Sequence, residues 1–434
     1  MNMGSDNMKR ALVFSGGGAK GSYELGVWRA LKHLHKRIDI VTGTSIGSAN
    51  GALFVQNEYS KAYKLWTNTT TKDLLSYDTN EKFYSKNNKN AIKEIVKNVG
   101  LPSYKGEEVL RHYIDEDKIR KSKIDFGIVT VSTNKMMPKE LTKDIIPQGK
   151  MIDYIVASCS AFPAISRKKI DGDFYIDGGY YDNMPINLAI KMGADEVIAV
   201  DLSSVGNKVK INDKNVKVDI IKTRDKDNFT LEFTREKAME RMILGYNDTM
   251  KHFGKLSGNI YTFKKYDLDK NYKRIGNYYE DILKEILLVG KNKILKEIIN
   301  ISKYKKLVLD LSNNKKIEKT MLDTIEYLGE IFNIRKDKIY DINTFNKMII
   351  KEAKTLNYIT VSKNLKGKML IGYMYNKYLN EEKDKAYKEL FNIALVFQKD
   401  FLAACYLIAL TKKYPINIKL NEFHDEIYNI LKGE

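Results

Sequence analysis

The sequence predicts an α/β domain built on a parallel sheet, followed by an all-helical region. Three observations carry this. Apolar runs of strand length, Ala11–Phe14, Ile38–Val41 and Glu196–Leu202, alternate with helical patterns up to about residue 205. Two glycine-rich turns each join such a run to a helical pattern, the connection that parallel strands require. From about Phe229 to Lys432 the apolar residues recur at helical spacing, as in Leu283, Ile286, Leu287, Ile294 and Ile298, and in Tyr387, Leu390, Ile393, Ala394 and Phe397. The expected division is 8–228 for the α/β domain and 229–434 for an all-helical basic domain. Residues 206–228 are polar and Lys-rich, with Val218-Asp219-Ile220-Ile221 as one further strand.

The first strand, Ala11–Phe14, runs into Gly16-Gly17-Gly18-Ala19-Lys20-Gly21, and a helix follows from Tyr23 to about Lys36. A glycine loop there can aim backbone N–H groups at a developing negative charge. The spacing Gly16-x-Gly18-x-x-Gly21 also fits a dinucleotide fingerprint, which needs an acidic residue at the far end of the second strand. Asp39 lies at the start of that strand instead, and the far end carries Thr42, Gly43 and Ser45.

The second strand, Ile38–Val41, enters Gly43-Thr44-Ser45-Ile46-Gly47, and a helical pattern continues to about Trp66. Strand, sharp turn and helix are the context in which G-x-S-x-G presents a nucleophilic serine. The glycines permit strained backbone and close packing, and the helix N-terminus adds a positive dipole. Further on, Phe174-Tyr175-Ile176 leads into Asp177-Gly178-Gly179. Nucleophile, oxyanion donors and a carboxylate base are the parts of an acyl hydrolase.

Four stretches together resemble the patatin-like phospholipase family. They are G-G-G-A-K-G at 16–21, G-T-S-I-G at 43–47, S-C-S-A-F-P-A at 158–164 and D-G-G at 177–179, followed by Y-Y-D-N-M-P-I. The resemblance covers roughly residues 8 to 205, in the family's order. It implies a patatin-like α/β hydrolase with a Ser–Asp dyad acting on lipid acyl esters, with no metal and no cofactor. Ser45 would be the nucleophile and Asp177 its base, with Gly16, Gly17 and Gly18 forming the oxyanion hole. Lys20, Gly21, Gly43, Gly47, Gly178 and Gly179 complete the motifs, Lys20 standing where the family carries Arg or Lys.

Rival residues are weighed on their surroundings. His33, His35, His112, His252 and His424 are the five histidines, and none lies in a glycine-rich loop after a strand. In the order Ser, Asp, His only His252 and His424 could complete a triad, and both fall in helical patterns. Asp182 is a second carboxylate, but Asn183-Met184-Pro185 reads as a turn into a helix over Ile186–Met192, where Asp commonly caps. Cys159 sits among small residues and reads as a packed thiol.

At 434 residues the chain is too long for one ordinary domain. No secretory leader is evident at its start, and the apolar run Phe401–Leu410 is far short of a bilayer span. Two cysteines, Cys159 and Cys405, do not make a disulfide framework and suit a reducing cytoplasm. Residues 1–205 hold 29 Lys and Arg against 24 Asp and Glu, and the remainder holds 45 against 31. That basic surplus suits peripheral contact with anionic lipid, or is a compositional bias on solvated faces. No nucleic-acid reading motif accompanies it. The expected protein is a cytoplasmic, at most peripheral, serine hydrolase of phospholipid or another acyl-ester lipid. The alternative is a catalytically idle lipid- or partner-binding module on the same fold. Head group, chain length, activator and oligomeric state are not encoded in these motifs.

Overall fold

The structure, a computed structural model, describes residues 8–74, 104–225, 232–297, 314–354, 366–414 and 431. The chain divides into two compact units, one comprising Met1–His252 and Asp425–Glu434, the other Phe253–His424.

The first unit is built on an eight-stranded sheet. Its strands are β1 (Arg10–Phe14), β2 (Ile40–Thr44), β3 (Asp125–Ser132), β4 (Met137–Thr142), β5 (Lys168–Ile170), β6 (Asp173–Asp177), β7 (Glu196–Asp201) and β8 (Lys217–Lys222). They run in the order β5-β6-β3-β2-β1-β7-β8, with β4 also paired to β3. Strands β3, β2, β1, β7 and β8 are parallel. β4, β5 and β6 are antiparallel to their neighbours, so the sheet is mixed rather than purely parallel. The reversal from β5 to β6 is made by Asp171 and Gly172, both at positive φ (46° and 83°), as a two-residue hairpin turn requires.

β1 and β2 are buried almost throughout, as expected for strands covered on both faces. β2 starts later than the apolar run suggests and continues through Thr42 to Thr44. Polar residues are tolerated there because both hydroxyls are satisfied. Thr42 donates to the Pro185 carbonyl at 2.9 Å and Thr44 to the Asp182 carbonyl at 2.7 Å. Helix α1 (Ser22–His33) follows the first glycine turn and α2 (Ile46–Val55) the second. The helical pattern running to Trp66 is two helices, α2 and Tyr59–Asn68, broken where Asn57 adopts a left-handed φ of 56°.

The first unit extends beyond residue 228. Helix Arg235–His252 is tied to α1 and the glycine turn by three side chains. Tyr23 donates to Asp248 at 2.8 Å, Arg241 to the Ala19 carbonyl at 3.2 Å, and His33 Nδ1 lies 2.6 Å from the Tyr246 hydroxyl. The division therefore falls after His252, not at 228/229.

The second unit packs helices around one core. Helix Gln398–Lys413 is buried continuously from Phe401 to Leu410, so the apolar run that length excludes from a bilayer span is a core helix. Leu283, Ile286, Leu287, Tyr387, Leu390 and Ala394 share that core, as their spacing predicts. Ile298 lies outside the described residues. The unit is not all-helical: Leu256–Ser257, Thr262–Lys264 and Ile339–Tyr340 form a three-stranded sheet. These strands are two or three residues long, too short to show a period of two. No described helix is long and apolar enough to cross a membrane.

Candidate active site

β3 brings the two key motifs together. Its Val129 is opposite Thr44 on β2, and the next residue, Thr130, is opposite Asp177 on β6. The turn after β2 and the end of β6 thus meet at one point of the sheet. Ser45, the residue after Thr44, and Asp177 face the same cavity there, with the Ser45 hydroxyl close enough to favour the ionised Asp177 carboxylate.

Ser45 occupies the turn between β2 and α2 at φ 55° and ψ −130°, a conformation that costs a non-glycine residue about 1–3 kcal/mol. Its neighbours must be glycine for steric reasons. A Cβ on Gly43 would stand 2.3 Å from the Gly47 carbonyl oxygen, and one on Gly47 would stand 2.5 Å from that of Phe14. The strained turn is held from outside. The Ser45 N–H donates to Ser158 Oγ at 2.9 Å, and the Ser158 hydroxyl donates to the Val129 carbonyl at 2.7 Å. The Ser45 carbonyl accepts from the Ser48 hydroxyl at 2.6 Å and the Ser48 N–H at 2.8 Å.

Asp177 is 7% exposed and also accepts from the Gly179 N–H at 2.7 Å. Burial pushes its carboxyl up to about 6, against the opposing pull of the Ser45 hydroxyl and the Gly179 N–H. A carboxylate at that value is ionised at neutral pH yet far more ready to take a proton than an exposed aspartate.

The glycine turn faces the same space unevenly. Gly17 and Gly18 line the cavity with Ser45 and Asp177. Neither donates its N–H to another described residue. Gly16 does not fit the oxyanion role expected of it. Its N–H donates to the Asn183 carbonyl at 3.0 Å, and its carbonyl accepts from Asn183 Nδ2 and the Ser204 hydroxyl. It is a brace for the turn and is absent from the cavity wall. Lys20 is buried and donates to the Asp225 carbonyl at 3.2 Å. Asn50 on α2 holds the other end of the turn, donating to the Gly21 carbonyl and to Glu24 at 2.9 and 2.7 Å.

The cavity measures about 620 Å³. Beyond the polar residues it is walled by Ile46, Leu110, Val156, Ile165, Val205 and Phe233. An apolar cleft with a few convergent polar groups is the usual form of a small-molecule site.

The rival residues lie elsewhere. Asp182 accepts from the N–H groups of Met184 and Val209 at 3.2 and 3.3 Å, which is a turn-capping role, and does not line the cavity. Its carboxyl is also pushed up to about 6 by burial, so a raised value alone does not mark a base. His33 pairs with Tyr246, His112 packs edge-on against Tyr113, and His252 Nε2 is 3.7 Å from Asp219. None of these lines the cavity, and His424 lies outside the described residues. Cys159 does line it, with its thiol pushed well above its ordinary range by burial. Among the described residues no group of three or more His, Cys, Asp or Glu could hold a metal ion. Ser158 and Asn183 fall in the stretches that carry the resemblance and Ser204 does not, but the bracing role of all three is invisible in the sequence, since each acts on backbone that only the fold brings near.

Residues 12–190 match the family described as patatin-like phospholipase. This part of the chain is similar to patatin-like phospholipase domains. It is 32% identical over 206 residues to patatin-like phospholipase domain-containing protein 7 of Mus musculus, covering 45% of this chain and 14% of that protein. It is 30% identical over 206 residues to domain-containing protein 6 of Homo sapiens, covering 45% and 13%. Lysophospholipase NTE1 of Mycosarcoma maydis is 29% identical over 214 residues, covering 46% and 10%. The chain thus spans a small part of the length of these curated relatives, and the patatin-like domain is the part shared. It coincides with the elements that carry Ser45 and Asp177.

Proposed function

We propose that this chain is a serine lipid acyl hydrolase of the phospholipase A or lysophospholipase type, working through a Ser45–Asp177 dyad. The observation that carries the reading is the juxtaposition of Ser45, on its strained turn, with a buried Asp177 of raised proton affinity, both on the wall of an apolar cavity. Ser45 Oγ attacks the ester carbonyl and passes its proton to Asp177. The N–H groups of Gly17 and Gly18 hold the oxyanion, without Gly16. The tetrahedral intermediate collapses to an acyl-serine, and the departing alkoxide leaves as the alcohol by taking the proton from Asp177. Water then attacks the acyl-serine and gives its proton to Asp177. The proton returns to Ser45 as the fatty acid departs.

The apolar walls support an acyl chain as the group held, and the lysophospholipase name of one relative supports a lipid ester. The basic surplus after residue 205 supports work at an anionic lipid surface from the cytoplasmic side. The test is mass spectrometry of fatty acids released from a mixed phospholipid extract by the wild type and by Ser45→Ala. Release by the first and not the second is expected, and equal release would refute the reading.

A further inference from the structure

We propose that the rim formed by Val205 and Tyr180 inserts into the phospholipid surface and sets the cavity mouth against it. This rests on the hydrolase reading above and adds the docking surface to it. Val205 and Tyr180 both line the cavity and are 100% and 51% exposed, so they stand where the cavity meets solvent. Single exposed apolar residues are ordinary. What sets Val205 apart is that the loop carrying it is built to hold it out.

The residues on both sides of Val205 are pinned. The Ser203 N–H donates to Asp201 at 2.8 Å and its hydroxyl to the Thr223 carbonyl at 3.0 Å. The Ser204 hydroxyl donates to the Gly16 carbonyl and accepts from Asn183 Nδ2. The Asn207 N–H donates to the Gly179 carbonyl at 2.9 Å, and its carbonyl accepts from the Asn183 N–H at 2.6 Å. Asn207 Nδ2 donates to the Tyr180 carbonyl at 2.6 Å, which ties the loop to the second rim residue. A valine fixed in water gains nothing from the fold, and burying it in an acyl layer recovers its full transfer free energy. Tyr180 suits a headgroup boundary, with an apolar ring and a polar tip that donates to the Phe162 carbonyl. Arg167 is exposed and lies over the Phe162 and Phe174 rings at 5.6 and 4.8 Å, a cation for lipid phosphate beside the residue whose carbonyl Tyr180 bonds. The occupant is a lipid surface because Val205 and Tyr180 are exposed residues of the same cavity that an ester must enter to reach Ser45.

The test uses the full chain carrying Ser45→Ala, so that vesicles are bound and not consumed. Val205→Trp places a reporter at the rim, and the two native tryptophans, Trp28 and Trp66, are buried at 3% and 4% exposure. Adding phosphatidylcholine–phosphatidylglycerol vesicles should shift the emission of the new tryptophan to the blue. Val205→Asp should lower vesicle partitioning in sedimentation by roughly tenfold or more, as expected for losing one buried valine. An unshifted emission, or Val205→Asp sedimenting like its parent, overturns the proposal. Melting curves establish that both variants are folded. Binding is read without hydrolysis, so its failure would leave the hydrolase reading intact, and a failed hydrolase reading would not alter the binding result.

Discussion

The backbone N–H of Ser45 donates to the hydroxyl of Ser158 at 2.9 Å, and so the end of helix Met151–Ser158 holds a strained turn on a different part of the sheet. The Ser158 hydroxyl is in turn fixed by the Val129 carbonyl. Ser158→Ala removes the acceptor and leaves a buried donor unmet, a cost of about 1–3 kcal/mol. We expect a lower melting temperature and at least a roughly tenfold loss of kcat on a chromogenic ester, by the sensitivity of catalysis to positioning. A variant as active and as stable as wild type would show that the turn supports itself.

Asp177→Asn separates stability from activity. In the folded protein Asp177 titrates at about 6, above its ordinary value of 3.8. The folded state therefore binds the proton more tightly than the unfolded state. The resulting stabilisation is complete below the unfolded value and is lost as pH rises through about 6. At neutral pH the buried charge is a burden. A neutral Asn, which can still accept from Gly179, should raise stability by up to about 3 kcal/mol. Turnover should fall nearly as far as with Ser45→Ala, because groups acting as a unit lose almost everything together. Urea unfolding at neutral pH and ester turnover check the two halves.

The same group sets the pH dependence of activity. The dyad works only while Asp177 is ionised, so kcat/KM on a soluble ester should rise through about pH 6 and level off above it. A profile controlled by a histidine would survive in Asp177→Asn and vanish on changing His252 or His424 to Gln. We expect those two His variants to stay within a few fold of wild type.

Asp182 provides the contrast. It accepts from Met184 and Val209 and stands off the cavity wall. Asp182→Ala should cost about 1–3 kcal/mol of stability for the two donors it strands. At a temperature where it is folded, it should keep far more activity than Asp177→Asn. Equal losses would make Asp182 part of the chemistry.

Much of this site was legible because its motifs are local. Glycine at 43 and 47 around Ser45, and Asp177 after an apolar run, are fixed by contacts within a few residues of each motif or by strand geometry. Gly16 shows the limit of that logic. A glycine next to an oxyanion loop looks like a donor, and only the fold reveals that Asn183, far along the chain, takes its N–H. The antiparallel strands β4 to β6 were equally hidden. β4 is partly exposed along its length and carries Pro138 and Lys139, so no alternation marks it. The boundary at His252 escaped for a related reason. Helix Arg235–His252 has the same basic, helical composition as the second unit. Its attachment to α1 depends on Asp248, Arg241 and Tyr246, ordinary surface residues in a bare sequence.

The most direct measurement is labelling with a fluorophosphonate, which reacts preferentially with an activated serine hydroxyl. Peptide mapping should find the label on Ser45 of the wild-type protein, at a rate that falls by orders of magnitude in Asp177→Asn. Label on another serine, or undiminished labelling of Ser45 without Asp177, would contradict the dyad.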